Sequence, residues 1–139
     1  MDRDEIIRKF VEEYKIEVPA ERVENELNYI RQEMKHRMRY DTLTGGSTHL
    51  FPERELAEQR EELFAAAYYE AKYDLVMKDI IDRQQFSVTR EELEAEAEAI
   101  ARRQDSTVEM VKRFFGEDLK MLERDIRIRK AEDWICAQA

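Results

Sequence analysis

The residues that could carry chemistry in this chain are few and widely spaced. The two histidines are His36 and His49, and the one cysteine is Cys136. Glu33 lies three residues before His36, the Glu-x-x-His spacing found on the helices of di-iron proteins. Such a site needs a second Glu-x-x-His and two further inward glutamates, and the sequence offers no second motif. We therefore expect no metal site, no cofactor and no catalytic residue, and we do not expect an enzyme.

The one extended loop, Asp41 to Phe51, has the glycine-rich centre Gly45–Gly46–Ser47–Thr48. A phosphate-binding P-loop would continue with a further glycine, a lysine and a serine or threonine, and none of these follows. We interpret the segment as a connection between two helices. A single cysteine, Cys136, excludes an internal disulfide and a multi-cysteine zinc site, and we expect it to be a partly buried apolar residue.

The composition predicts an all-α fold with charged outer faces. Of the 139 residues, 42% are hydrophobic and 41% are charged, with only 3 glycines and 2 prolines to form turns. The net charge of −9 argues against nucleic acid as the main partner. No apolar run approaches the roughly 20 residues of a membrane span, and no signal-peptide core is present. We expect a single helical domain over residues 1–139, in the cytoplasm, without a membrane partner. A local basic run is interpreted as a solvated helix face: Arg31, Lys35, His36, Arg37 and Arg39.

The segment around which the chain is organised is Pro52 to Gln85, which has no glycine and no internal proline. If unbroken, it forms a helical rod of about 50 Å. A compact globule of this chain length has a diameter of roughly 35–40 Å, so the rod predicts an elongated bundle. A kink near Ala65–Ala67 is the alternative that keeps the domain compact. The residues expected on its inward face are Leu56, Leu63, Phe64, Ala67, Tyr68, Ala71, Leu75, Val76 and Ile80.

The other helices are predicted from their apolar period and their end signals. Asp4 is placed to cap a first helix that ends near Lys15, and a second helix runs from Pro19 or Ala20 to about Tyr40. Thr89 and Glu92 have the spacing of a capping box, with Val88 and Leu93 as the hydrophobic staple. The same spacing predicts Ser106, with Glu109, as the cap of a short helix from Thr107 to Phe115, and Gly116 as its left-handed end. A last helix, from about Glu117 towards Ala137, is apolar on two faces.

The chain also contains methionine and aromatic side chains that could form a binding surface. Methionine adapts its shape and recurs on surfaces that bind many partners, and exposed apolar patches usually mark binding surfaces. Core packing is the alternative for each residue taken alone. The candidates for a peptide-binding surface are Met34, Met38, Tyr68, Tyr69, Tyr73, Met77, Met110, Phe114, Phe115 and Met121.

Read in order, several segments resemble the C-terminal, substrate-binding domain of trigger factor, the bacterial chaperone of nascent chains. The resemblance runs from about Lys9 to Ala137. Its segments are Tyr14–Lys15–Ile16–Glu17–Val18–Pro19, Val23-x-x-Glu26-Leu27, the Gly45–Gly46 loop, Glu55 to Ile81, Phe86–Ser87–Val88–Thr89–Arg90–Glu91–Glu92–Leu93, Val111–Lys112–Arg113–Phe114–Phe115, and Leu122 to Lys130–Ala131.

This resemblance implies a helical body with projecting arms that bind apolar segments of unfolded or nascent polypeptides without ATP. The family's ribosome-docking and prolyl isomerase domains have no counterpart in this sequence, so neither activity is predicted for it. Without those domains the apolar surface is expected to close on a second copy, giving a homodimer. The alternative function is a structural or assembly module that dimerises through its apolar faces and binds no client.

Overall fold

The computed structural model describes all residues from Met1 to Ala139 and contains helices but no strands. The predicted all-α class is confirmed. A short 3-10 turn, Lys120–Leu122, precedes the last of seven α-helices. In chain order the helices are α1 (Arg3–Glu13), α2 (Ala20–Leu43), α3 (Pro52–Glu58), α4 (Arg60–Gln84), α5 (Arg90–Arg103), α6 (Val108–Phe115) and α7 (Glu123–Gln138).

The predicted rod is interrupted at Gln59, so the prediction of an unbroken helix was wrong. The position of the alternative kink, Ala65–Ala67, lies within α4, which is continuous from Arg60 to Gln84. Gln59 has φ −100° and ψ 14°, which ends α3 before α4 begins at the next residue. No glycine or proline marks this position in the sequence. The 25 residues of α4 span about 37 Å.

The chain divides into two compact units. One unit comprises Met1–Ile7 and Met77–Ala139, and the other comprises Arg8–Val76. Both boundaries fall inside helices, the first within α1 and the second within α4. Each unit is therefore described by its own core.

In the Arg8–Val76 unit, α2 packs against α4 through small side chains. Ala67 and Ala71 are 0% and 2% exposed and contact Val23, and these alanines leave room for the two helices to approach. A second cluster joins Met38 of α2 to Leu56 of α3 and Leu63 of α4. These two clusters attach both α3 and α4 to the same long helix.

The connection between α2 and α3 is held at His49. Its Nδ1 lies 3.0 and 2.9 Å from the two carboxylate oxygens of Glu55, and its backbone N–H donates to Thr42 Oγ1 at 3.0 Å. Gly45, with φ 84°, adopts a backbone conformation that side chains disfavour. Leu43, Leu50 and Phe51 are 78%, 75% and 60% exposed around this anchored loop.

The other unit has a core made by α5, α6 and α7. Its buried members are Leu93, Ala97, Ala101, Val111, Leu119, Leu122 and Ile126. The predicted capping box of α5 is confirmed, because the Thr89 side chain accepts from Glu92 N–H while the Glu92 carboxylate accepts from Thr89 N–H. Val88 packs against the same core as Leu93, as the predicted staple requires.

Two predicted caps were wrong by one or two residues. The Thr107 hydroxyl, not Ser106, accepts from Met110 N–H at 3.2 Å, so α6 begins at Val108. At the first helix Asp2, not Asp4, accepts from Glu5 N–H at 2.9 Å. In each case the capping residue is the one whose backbone is extended just before the first helical turn. More than one polar residue lies near each helix start, so the sequence alone does not show which of them is the cap.

The last helix starts later than predicted and is buried on both faces. Leu122 and Ile126 belong to the α5–α6 core, while Ala131 and Ile135 are 0% and 1% exposed. Leu119, just before the 3-10 turn, has φ 57° and yet is only 1% exposed. The burial of its side chain offsets the cost of about 1 kcal/mol that a left-handed backbone imposes.

The first and last helices meet through charged side chains. Arg3 Nη2 lies 2.8 Å from Asp133 Oδ1 and 3.8 Å from Glu132 Oε1. The hydrogen bond to Asp133 is the main reason that the pKa of Arg3 lies above its ordinary value. This pairing brings the start of α1 to the last turns of α7.

Candidate functional site

The structure separates the ten sequence-predicted binding residues by burial. Met38 and Met77 are 8% and 2% exposed and lie in the core, so neither offers a surface for a peptide. Met34 is half-buried beside Met38. The three aromatic residues that are also half-buried are Tyr69, Tyr73 and Phe115. The four that are exposed are Tyr68 (42%), Met110 (52%), Phe114 (79%) and Met121 (67%).

Two of the exposed residues line one apolar groove, which we call the α6 groove. Met110 and Phe114 are four residues apart on α6, so they share a face, while Val111 points into the core and is 5% exposed. The volume of the groove is about 580 Å³, within the range of ligand pockets. Its lining residues are Ile100, Gln104, Ser106, Met110, Val111, Arg113, Phe114 and Phe115.

The ends of α6 fix the position of this face. Thr107 satisfies the backbone N–H of Met110 at the start of the helix. Gly116 ends it with φ 102° and ψ 152°, a conformation nearly confined to glycine, and its N–H donates to Lys112 O at 2.7 Å. The Phe114 ring packs edge-on against Phe115, with ring centroids 4.9 Å apart. Phe115 in turn packs on the buried core, so it supports the exposed ring from below.

A second groove lies in the Arg8–Val76 unit, and we call it the tyrosine groove. Its volume is about 530 Å³. Phe64 and Tyr68, one helical turn apart on α4, are 51% and 42% exposed at its surface. The prediction that they face inward was therefore wrong, because α2 covers the neighbouring face that carries Ala67 and Ala71. The lining residues are Arg8, Glu12, Phe64, Ala65, Tyr68, Tyr69 and Lys72.

Two cations, Arg8 and Lys72, form part of the tyrosine groove, and no sequence pattern predicts a binding role for either. The Arg8 guanidinium carbon lies 4.1 Å from the centroid of the Tyr69 ring, a cation–π contact. Lys72 is only 9% exposed, and its Nζ donates to the backbone carbonyl of Glu12 at 2.8 Å. That carbonyl lies in the last turn of α1, where helix carbonyls lack partners and attract cations.

One acidic residue near this groove, Glu70, has a shifted pKa. The pKa of Glu70 is raised, first because burial disfavours the carboxylate and then because Asp74 and Glu26 carry the same charge nearby. The positive charge of Arg8 opposes this rise.

No group of histidine, cysteine, aspartate and glutamate side chains is arranged to hold a metal ion. None of the helices combines the length and the apolar character needed to cross a lipid bilayer.

Together these features define an all-α protein with apolar grooves on its surface. The sequence profile of the family described as "Bacterial trigger factor protein (TF) C-terminus" matches residues 2–137. The chain therefore belongs to the trigger factor C-terminal family, as the sequence resemblance predicted.

Individual relatives agree with this assignment. The chain is 28% identical over 135 residues to the trigger factor of Carboxydothermus hydrogenoformans, covering 97% of this chain and 32% of that protein. It is 26% identical over 133 residues to the trigger factor of Bacillus cytotoxicus, covering 96% of this chain and 31% of the relative. The chain thus spans about a third of the length of the curated relatives it matches. No solved structure matches it at a significant level.

Proposed function

We propose that this chain binds apolar segments of unfolded or nascent polypeptides without ATP, as a chaperone-type module. The observation that carries the proposal is the α6 groove, where Met110 and Phe114 are mostly exposed on a face fixed by helix caps at both ends. Exposed large apolar residues cost solubility, and grouped at a groove they are typical of binding sites. Membership of the trigger factor C-terminal family supports the same function.

The chemistry of the groove suits clients of varied sequence. Methionine and phenylalanine offer apolar contact without hydrogen bonds that would require one partner geometry. The chain as a whole carries a net charge of −9, which keeps a complex with an unfolded client in solution. Apolar contact of this kind needs no nucleotide, because burial of apolar surface supplies the free energy of binding.

The test is suppression of aggregation by a matched pair of variants. The wild-type chain should slow the aggregation of a chemically unfolded client at near-stoichiometric ratio without nucleotide, measured by light scattering. Phe114→Ser should lose most of this effect, because it removes the most exposed ring of the groove. Tyr29→Ser is the control, since Tyr29 is 61% exposed but lines neither groove. Equal activity of the two variants, or no effect of the wild type on any of several clients, would refute the proposal.

An assembly module is the second candidate, and the exposed loop residues favour it. Leu43, Leu50 and Phe51 are large apolar residues exposed at or beside the α2–α3 connection, and none of them lines either groove. A homodimer formed through them would bury these three side chains. Sedimentation velocity of the wild type and of Phe51→Ser decides this point. A tight dimer that the substitution dissociates, with no client binding by either form, would favour assembly over the chaperone function.

A further inference from the structure

The tyrosine groove contains two positive charges that no carboxylate neutralises. Arg8 contacts the Tyr69 ring, and Lys72 contacts a backbone carbonyl, but neither forms an ion pair. Elsewhere in the chain some basic side chains form ion pairs, among them Lys112 with Glu94, Arg129 with Glu96 and Lys130 with Glu92. Lys72 differs from the other basic residues in being buried, since it is the one charged residue in the buried class.

Acidic residues are close to this groove but do not neutralise its cations. Glu12 lies one turn after Arg8 on α1, the spacing at which helical ion pairs form, yet Arg8 is placed over the Tyr69 ring instead. Glu70 is near enough for the charge of Arg8 to lower its pKa, but burial and its acidic neighbours raise that pKa overall. Among the lining residues, two cations face one carboxylate.

The donors of Lys72 are only partly used. An ammonium group has three N–H donors, and the structure gives Lys72 one hydrogen bond, to Glu12 O. The residue as a whole is only 9% exposed, and the exposed part of it lines the tyrosine groove. A negatively charged oxygen entering the groove would gain a charge-assisted hydrogen bond, which is about twice as strong as a neutral one.

We infer that the tyrosine groove takes client segments in which an acidic side chain stands beside apolar residues. The inference rests on the proposed function, since it names the class of segment bound at a second groove. Phe64 and Tyr68 would contact the apolar residues, and Arg8 and Lys72 would bind the carboxylate. The carboxylate belongs to an aspartate or glutamate within the segment, because internal acidic residues are the negative charges that an unfolded chain offers along its length.

The test compares two short apolar peptides that differ at one central residue, glutamate or glutamine. Both are blocked at their termini, so the side chain supplies the only difference in charge. Fluorescence anisotropy with the full chain should give a roughly fivefold lower Kd for the glutamate peptide, the difference expected between a charge-assisted and a neutral hydrogen bond. Arg8→Gln should reduce this ratio towards about one. Lys9→Gln removes the same charge from the next residue of α1, outside the groove, and should leave the ratio unchanged.

Three results would overturn the inference. The first is equal binding of the two peptides by the wild type, which refutes the preference but leaves the proposed function standing. The second is a ratio that survives both Arg8→Gln and Lys72→Gln; Arg8 is exposed, so its variant remains informative even if the Lys72 variant does not fold. The third is tighter binding only of a peptide with a free C-terminus, which would assign the groove to chain ends. If neither peptide binds, the proposed function fails as well.

Discussion

Arg129 of α7 donates two hydrogen bonds to Glu96 of α5, one from Nη1 at 2.9 Å and one from Nη2 at 3.2 Å. The Glu96 side chain is only 14% exposed, so this bidentate pair is more shielded than an ordinary surface ion pair. Arg103 Nη2 lies 3.8 Å from the same carboxylate. Glu96 therefore forms a partly buried contact between two helices.

We predict that Glu96→Gln destabilises the protein by about 1–2 kcal/mol at pH 7, the usual size of a charge-assisted contact. The hydrogen bonds from Arg129 hold the pKa of Glu96 below its ordinary value, against the opposing effect of burial. A depressed carboxyl pKa stabilises the fold above the unfolded pKa, near 4.3, and that stability is lost as pH falls through the folded pKa. Urea denaturation at neutral and acidic pH should therefore show a difference that shrinks in acid. Glu98→Gln, an exposed change on the same helix, should show little difference at either pH.

Glu70 should respond with the opposite sign. Its pKa is raised by burial and by Asp74 and Glu26, so its ionised form weakens the fold at neutral pH. As pH falls through the raised folded pKa, the carboxyl group takes up a proton and the penalty is relieved. Glu70→Gln should stabilise the protein at pH 7 by a few tenths of a kcal/mol, because solvent screens much of the effect. Denaturation curves that show a loss of stability at pH 7 would contradict this assignment.

The cap of α6 predicts different effects for two adjacent hydroxyls. Thr107→Ala removes the acceptor for Met110 N–H and should cost about 1 kcal/mol, whereas Ser106→Ala should change stability by less than about half that. Fraying of the first turn should also raise amide hydrogen exchange at Met110. Thermal unfolding and hydrogen exchange measure both effects. A larger loss for Ser106→Ala would restore the cap that the sequence first indicated.

The packing of α2 on α4 depends on the small size of Ala67. Leucine at this position has no space, because Ala67 is 0% exposed beside Val23, and overpacking of this kind costs roughly 1–3 kcal/mol. Leucine at Ala66, which is exposed on the same helix, is the control and should be nearly neutral. Urea midpoints of the two variants give the comparison. Similar midpoints would mean that α2 and α4 can separate at little cost.

The domain organisation can be tested in solution. Because α1 and α4 each run through both compact units, we expect one cooperative unfolding transition, as for a single domain over residues 1–139. Calorimetry should give equal calorimetric and van't Hoff enthalpies.

Small-angle scattering over a concentration series tests the predicted elongated shape and homodimer together. A radius of gyration near the roughly 14 Å of a compact monomer at every concentration would contradict both.

The features that could be predicted correctly from the sequence depend on residues close together in the chain. The α5 cap was found because Thr89 and Glu92 interact three residues apart. The interruption at Gln59 was missed because no glycine or proline marks it. The exposure of Phe64 and Tyr68 could not be predicted from the spacing of the apolar residues alone. That spacing shows which residues share one face of α4, but the packing of α2 determines which part of that face is covered.

The contacts that form the tyrosine groove could not be predicted from the sequence. Lys72 reaches Glu12 across 60 positions in the chain, and Arg8 meets Tyr69 from the same distant helix. Contacts between residues so far apart arise from tertiary packing, for which a single sequence carries no local signal. The α6 groove was easier to find, because Met110 and Phe114 are one turn apart on the same short helix.

The contact of Arg3 with Asp133 has a practical consequence for engineering the chain. Since the two ends of the polypeptide emerge close together, a short glycine–serine linker could join them and new ends could be opened at Gly46. Such a circular permutant would present its termini beside Leu50 and Phe51. It would allow a reporter to be fused next to these two exposed apolar side chains.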